Sequence, residues 1–179
     1  MLTSIVRRRT LLQTSALALL APAWAQGSES PLPKLGSRLS LPTVKLQGGG
    51  VWTAQNSLTK VLVVYWWASW CPFCAVQSPH IEALWRAQKT NGLHVLALTI
   101  DRQERAAGSC IKSKGYSFPA GILTPEVAMM LPKPKGLPVV VVLKMDKIKP
   151  SVGPRQGTVV FAEGGEMFPE DVEGLKKYI

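Results

Sequence analysis

Cysteine, histidine and acidic residues are all scarce in this chain of 179 residues, which holds three Cys, two His and 11 Asp plus Glu against 21 Lys plus Arg. A structural zinc centre needs four ligands, usually in paired spacings. Cys71 and Cys74 form one pair, but only Cys110, His80 and His94 remain and they make no second pair. That argues against a metal clip. The shortage of acid leaves a net charge of +10, yet the Lys and Arg residues are scattered, without the clusters or aromatic interleaving of a nucleic-acid surface. No nucleic-acid role is expected, and the charge reads as a solvated surface suited to acidic partners. The chain also shows no internal repeat. Its charge-free apolar run from Leu11 to Ala23 is short of the roughly 20 residues that cross a bilayer as a helix.

That run has a different meaning. Arg7, Arg8 and Arg9 precede it and Ala23-Trp24-Ala25 follows it, which is the basic, apolar and small-x-small order of a secretory signal peptide. The string Arg8-Arg9-Thr10-Leu11-Leu12-Gln13 is similar to a twin-arginine export signal. An ordinary export signal fits the three arginines equally well, so both routes stay open. No cysteine lies near the cleavage site, which removes a lipid-modified anchor and leaves no stable membrane anchor to expect. Cleavage leaves a chain starting near Gln26 with 18 basic and 11 acidic residues, a charge of +7. The expected organisation is a signal peptide over 1–25, a Ser-, Pro-, Gly- and Lys-rich flexible leader over 26–38, and one domain over 39–179. With 46% hydrophobic and 18% charged residues, that domain has the apolar material to bury a core.

Within the domain, "LSLPTVKLQGGGVWT" places β-formers on both sides of Gly48-Gly49-Gly50 and predicts a short hairpin at the edge. Val61 to Trp67 (VLVVYWW) is apolar without alternation, as a strand buried on both faces should be. A helix follows from Pro72 or Phe73 to Thr90, with Val76, Ile81, Leu84 and Trp85 as its apolar face, Pro79 as an internal kink and Asn91-Gly92 as its end. Leu93 to Ile100 predicts a second buried strand, Asp101 to Gly115 a weak helix carrying Cys110, and Tyr116 to Leu131 a short strand with a short helix after Thr124. Val139 to Leu143 and Thr158 to Ala162 read as an antiparallel pair joined by a basic loop, Lys144 to Arg155. Pro169 to Tyr178 reads as a terminal helix with acid in its first turn and lysine in its last, matching the helix dipole. The order is strand, helix, strand, helix, strand, strand, helix, an α/β pattern.

The two close cysteines can be a structural disulfide or a working dithiol. A bridge spanning three residues constrains the unfolded chain little and so stabilises little. Its place favours chemistry instead. Cys71 sits where a buried strand hands over to a helix, beside unsatisfied backbone N–H groups at the positive end of the dipole, which favours the nucleophilic thiolate. Cys71 is then expected to be the solvent-facing nucleophile, and Cys74, one turn further in, is covered by the helix and placed to resolve a mixed disulfide. Trp66, Trp67 and Trp85 read as core, Trp70 stands between core and site, and Cys110 reads as an unpaired or buried thiol.

"WASWCPFC" behind an aromatic strand, the order of elements above, and Pro138 directly before the third strand together resemble the thioredoxin superfamily. The export signal, the preceding hairpin and the extra segment between the second and third strands are similar to its TlpA/ResA branch of periplasmic thiol-disulfide oxidoreductases. The resemblance covers Leu39 to Ile179. It implies a thioredoxin-like three-layer sandwich, a mixed central sheet flanked by helices with an N-terminal β-hairpin extension. It also implies an exported, periplasmic protein-disulfide oxidoreductase that needs no cofactor and no metal, acts on protein substrates with disulfides and draws electrons from a membrane thiol-disulfide donor. Cys71 and Cys74 are then the catalytic pair and Trp70 flanks the nucleophile. Pro138 is then a cis-proline facing the dithiol and presenting backbone to the substrate.

Three features depart from that pattern. Tyr65 stands where thioredoxin carries a buried aspartate, Gln77 where TlpA/ResA-type reductases often carry a glutamate, and Val139 and Val140 follow the proline where cytochrome c maturation relatives place a glutamate. These leave the proton handling of Cys74 and the apocytochrome role open. Pro72-Phe73 in place of a Pro-His pair removes a histidine that stabilises the thiolate in strong oxidants, and so favours a reductant or an exchange protein over a primary oxidase. A copper-delivery protein using both thiolates is the rival reading, although such proteins resemble a CxxxC spacing with a distant histidine. A peroxidase lacks its Pro and Thr context here.

Overall fold

The computed structural model describes residues 30–56, 59–147 and 153–179. The expected signal peptide and the start of the leader lie outside the described residues. Strands β1 (Arg38–Ser40), β2 (Val44–Lys45), β3 (Val51–Trp52) and β4 (Val61–Trp67) precede helix α1 (Pro72–Gln88). Then come β5 (Leu93–Thr99), α2 (Glu104–Lys114), β6 (Ala120–Ile122), α3 (Pro125–Met130), β7 (Val139–Met145), β8 (Gln156–Gly164) and α4 (Pro169–Gly174).

One mixed sheet in the order β1-β8-β7-β4-β5-β6 organises the molecule. β4 pairs parallel with β5 and antiparallel with β7, and all seven of its residues are buried. Its unbroken apolar sequence suits such a central position because both of its faces meet protein. Val61, Val63, Tyr65 and Trp67 point to a core shared with Ile81 and Leu84 of α1 and Val172 of α4. Leu62, Val64 and Trp66 point to the opposite core with Val44, Trp52 and Val127. Helices therefore cover one face, and the small β2–β3 ribbon with α3 covers the other, which gives three layers.

The glycine-centred hairpin forms as expected: Val44 pairs with Trp52 and Lys45 with Val51, while Gly49 and Gly50 take positive φ in the turn, +88° and +80°. This ribbon crosses β6 so closely that a Cβ at Gly121 would meet the Val44 side chain and lie 2.6 Å from the Lys45 carbonyl oxygen. Only glycine fits that crossing. Leu39 and Ser40, read with the hairpin, belong instead to β1 at the sheet edge against β8.

Several boundaries differ from expectation. Backbone pairing begins before Leu39: Ser30 donates to Lys133 O and accepts from Lys135 N, and Gly36 donates to Val159 O. Pairing to segments about a hundred residues away leaves no local pattern in the sequence. Helix α2 begins at Glu104 rather than Asp101, because Asp101 is drawn into the core by its hydrogen bonds. Helix α1 runs on through Pro79 to Gln88. The terminal helix tightens into a 3-10 turn over Leu175–Tyr178, a common way to end a helix.

Candidate active site

Strand β4 ends at Trp67 and the chain turns over Ala68 to Cys71, closed by the Cys71 N–H donating to Ala68 O at 3.2 Å. Helix α1 begins at Pro72, a first-turn position where the missing proline N–H costs nothing. Cys71 is the N-cap of this helix: its Sγ accepts from the Cys74 N–H at 3.2 Å. Cys71 and Cys74 are joined as a disulfide with Cα atoms 5.2 Å apart. In the reduced protein the same N–H group and the helix dipole would favour a thiolate on Cys71.

The sequence reading made Cys71 solvent-facing, and here the structure corrects it. Cys71 is only 4% exposed and Cys74 1%, because both belong to the core that β4 and α1 share, while their chain neighbours Trp70 and Phe73 are 66% and 56% exposed. Trp70 thus stands at the surface and not in the core, whereas Trp66 and Trp67 are buried as expected. Trp85 is partly buried against the core and meets the His94 ring edge-on.

The Leu137–Pro138 peptide bond is cis. Val139 pairs with Trp66, so Pro138 lies one step further, at the end of β4 from which the cysteine turn departs. Pro138 O accepts from the Gly165 N–H, and Met167 N–H donates to Gln77 Oε1 at 2.8 Å. The loop between β8 and α4 is in this way fastened to the proline on one side and to α1 on the other.

At the departures from the thioredoxin pattern, neutral groups occupy the interior. The Tyr65 hydroxyl pairs with Ser78 Oγ at 3.0 Å, and Ser78 donates in turn to Cys74 O at 2.7 Å. Burial pushes the Tyr65 phenol far above its ordinary range, so it stays protonated at neutral pH. Gln77 is fully buried and its carbonyl is committed to Met167. Neither can accept the Cys74 proton as a carboxylate would.

The sequence reading missed two buried carboxylates. Asp101, 4% exposed, accepts from Ser69 N at 2.9 Å, Ser69 Oγ at 2.8 Å and Thr99 Oγ1 at 2.5 Å. It thereby ties the end of β5 to the turn that carries Cys71. Glu82 on α1 accepts from Ser117 N and Oγ, Phe118 N and Arg86 Nε. No periodicity marks either residue, since Ser69 lies 32 positions from Asp101 and Ser117 lies 35 positions from Glu82.

Cys110 is a free, partly buried thiol on α2, and burial pushes its pKa up. Among the described residues no group of three His, Cys, Asp or Glu is placed to hold a metal. His80 lines a groove between α1 and α4, and His94 packs against Trp85. No helix among the described residues is long and apolar enough to cross a membrane.

Comparison with known proteins agrees with this geometry. The Redoxin family profile matches residues 28–130, more than half of the chain. A curated relative, the thiol-disulfide oxidoreductase ResA of Bacillus cereus, is 29% identical over 63 residues, which is 35% of this chain and 36% of the relative. The match thus spans about a third of that protein. A solved structure described as the thiol:disulfide interchange protein DsbE from Chlorobium tepidum superposes with a TM-score of 0.63 at 20% identity, covering 81% of this chain and 94% of the other. StoA from Bacillus subtilis superposes with a TM-score of 0.58 at 17% identity, covering 82% and 98%. The fold is thioredoxin-like, as the sequence resemblance implied.

Proposed function

Because the chain belongs to the Redoxin family, we propose that it is an exported protein-disulfide oxidoreductase of the TlpA/ResA type, working as a reductase through Cys71 and Cys74. The observation that carries the reading is the pair itself, bridged across the first turn of α1 with Cys71 as the helix N-cap. The Cys71 thiolate attacks one sulfur of a substrate disulfide, forms a mixed disulfide and releases one substrate thiolate, which takes up a proton. The Cys74 thiolate then attacks Cys71 Sγ, releasing the second substrate thiol and leaving the Cys71–Cys74 disulfide. Two electrons have passed to the substrate. A membrane thiol-disulfide donor returns them. Trp70 offers an exposed apolar face beside the nucleophile, and Pro138 is the residue we assign to receive the substrate backbone.

The reduction potential of the Cys71/Cys74 couple tests the direction of electron flow. A reductase should sit near thioredoxin, at about −270 mV, and a value near about −120 mV would mark an oxidant like DsbA. A failure of the pre-reduced protein to cleave any cystine-containing peptide would remove the enzymatic reading altogether. Support for export comes from the residues before Gln26. Intact-mass measurement of the exported fraction should find a chain that starts at Gln26, and a full-length, membrane-bound species would overturn this.

A further inference from the structure

Large apolar side chains stand exposed around the dithiol. Trp70 precedes Cys71, Phe73 lies between the cysteines, and Val76 follows Cys74, with exposures of 66%, 56% and 52%. Phe168, 75% exposed, joins them on the same end of the domain, because Met167 before it is hydrogen-bonded to Gln77, one turn after Cys74. Isolated exposed apolar residues are ordinary, but a group of them at one place marks a contact surface.

The charge around this surface runs against the rest of the molecule. Glu163, Glu166, Glu170, Asp171 and Glu173 supply five of the chain's 11 acidic residues, and no Lys or Arg occurs from Gln156 to Leu175. Glu163 lies at the end of β8, paired with Val140 two residues after Pro138. Glu166 sits in the loop fastened to Pro138 and Gln77, and Glu170 and Asp171 open α4, with Glu170 in a groove against the His80 to Gln88 part of α1, beyond the cysteine turn. Lys176 pairs with Glu173. Glu163, Glu166, Glu170 and Asp171 are exposed and meet no cation among the described residues. A protein of net positive charge thus presents an acidic strip that starts beside the cysteine end, at Glu163 and Glu166, and continues along α1 to Glu170. Lys133 and Lys135 precede Pro138, and the Lys135 carbonyl lies 3.9 Å from where a Cβ on Gly164 would sit, so Lys135 borders the strip next to Glu163.

We infer that this surface docks a protein segment whose disulfide is flanked by Lys or Arg and by apolar side chains, the apolar groups resting on Trp70, Phe73, Val76 and Phe168 and the cations facing the Glu163–Asp171 strip. The inference rests on the reductase reading and names the class of substrate for that same site. The rest of the surface, positively charged, repels such a segment, so the field steers it toward the dithiol. Complementary charge acts mainly on encounter and selectivity.

Two synthetic peptide disulfides test it, identical except that Lys or Glu flanks the cystine beside a Phe. The rate constant for their cleavage by the full, pre-reduced chain should favour the Lys peptide roughly tenfold or more at low salt. The preference should collapse at about 1 M salt, where the screening length is about 3 Å. The variant E163Q/E166Q/E170Q/D171N should abolish the preference while leaving cleavage of an uncharged peptide unchanged. E163Q/E166Q, which leaves the first turn of α4 intact, should reduce it. Equal rates for both peptides with the native chain would overturn the inference and leave the reductase reading standing. No cleavage of either would remove the reading beneath it. A native chain that sediments as a dimer, with the four-residue variant monomeric, would assign the strip to a second copy and overturn the proposal.

Discussion

Cys74→Ala should convert the protein from a turnover catalyst into a trap. With Cys71 alone, attack on a substrate disulfide proceeds as far as the mixed disulfide, and no neighbouring thiolate remains to release it. Non-reducing electrophoresis should then show covalent adducts that disappear on adding dithiothreitol. Cys71→Ala should lower the rate of disulfide cleavage by roughly a thousandfold or more, since the attacking group itself is gone. The asymmetry follows from position: Cys71 Sγ caps α1 and accepts the Cys74 N–H, whereas Cys74 is the deeper of the two, inside the first turn. Their exposures differ little, 4% and 1%, so helix capping decides the roles more than solvent does. Adducts forming on the Cys71→Ala variant instead would reverse the assignment.

Glu82→Ala should destabilise the fold by about 2 kcal/mol, because it leaves the buried backbone N–H of Phe118 and the part-buried N–H of Ser117 without their acceptor. For a domain of this size that is a fall of roughly 5–10 °C in Tm. The site would feel it, since Phe118 packs edge-on against both Tyr65 and Trp67 of β4, with ring centres 6.4 Å apart in each case. Burial alone would raise the pKa of Glu82. Hydrogen bonds from Ser117, Arg86 and Phe118 outweigh it and hold the carboxyl below its ordinary 4.5. A carboxylate depressed by folding stabilises above its unfolded pKa, and that contribution is lost as pH falls through the folded value. Thermal unfolding of the native chain should therefore weaken from neutral pH to below the glutamate range, while Glu82→Gln should start lower and fall less over the same interval. Identical slopes for the two would remove the linkage.

Much of this protein was legible in one dimension because its signals are local. VLVVYWW coincides with β4 to the residue, since a strand with no polar face can only be buried on both sides. The hairpin showed in its three glycines and the start of α1 in Cys-Pro. Cys71 and Cys74 needed no tertiary information, because their spacing brings both sulfurs onto one turn of a helix. The order of strands and helices also carried the family resemblance.

What only the folded chain decided rests on partners far apart in sequence. Burial of the cysteines depends on a core assembled from β4, α1 and α4, and no local pattern reports it. Asp101 and Glu82 looked like ordinary charged residues at a strand end and on a helix. They became structural carboxylates because Ser69 and Ser117 arrive from distant segments to hydrogen-bond them. The acidic stretch 163–173 was visible as composition, but Glu163 and Glu166 came beside the cysteine end only when Gly165 met Pro138 and Met167 met Gln77. Local sequence set the chemistry of this site through the dipole and spacing of one helix, and tertiary packing set its exposure and its field, because both sum over groups the chain brings together only on folding.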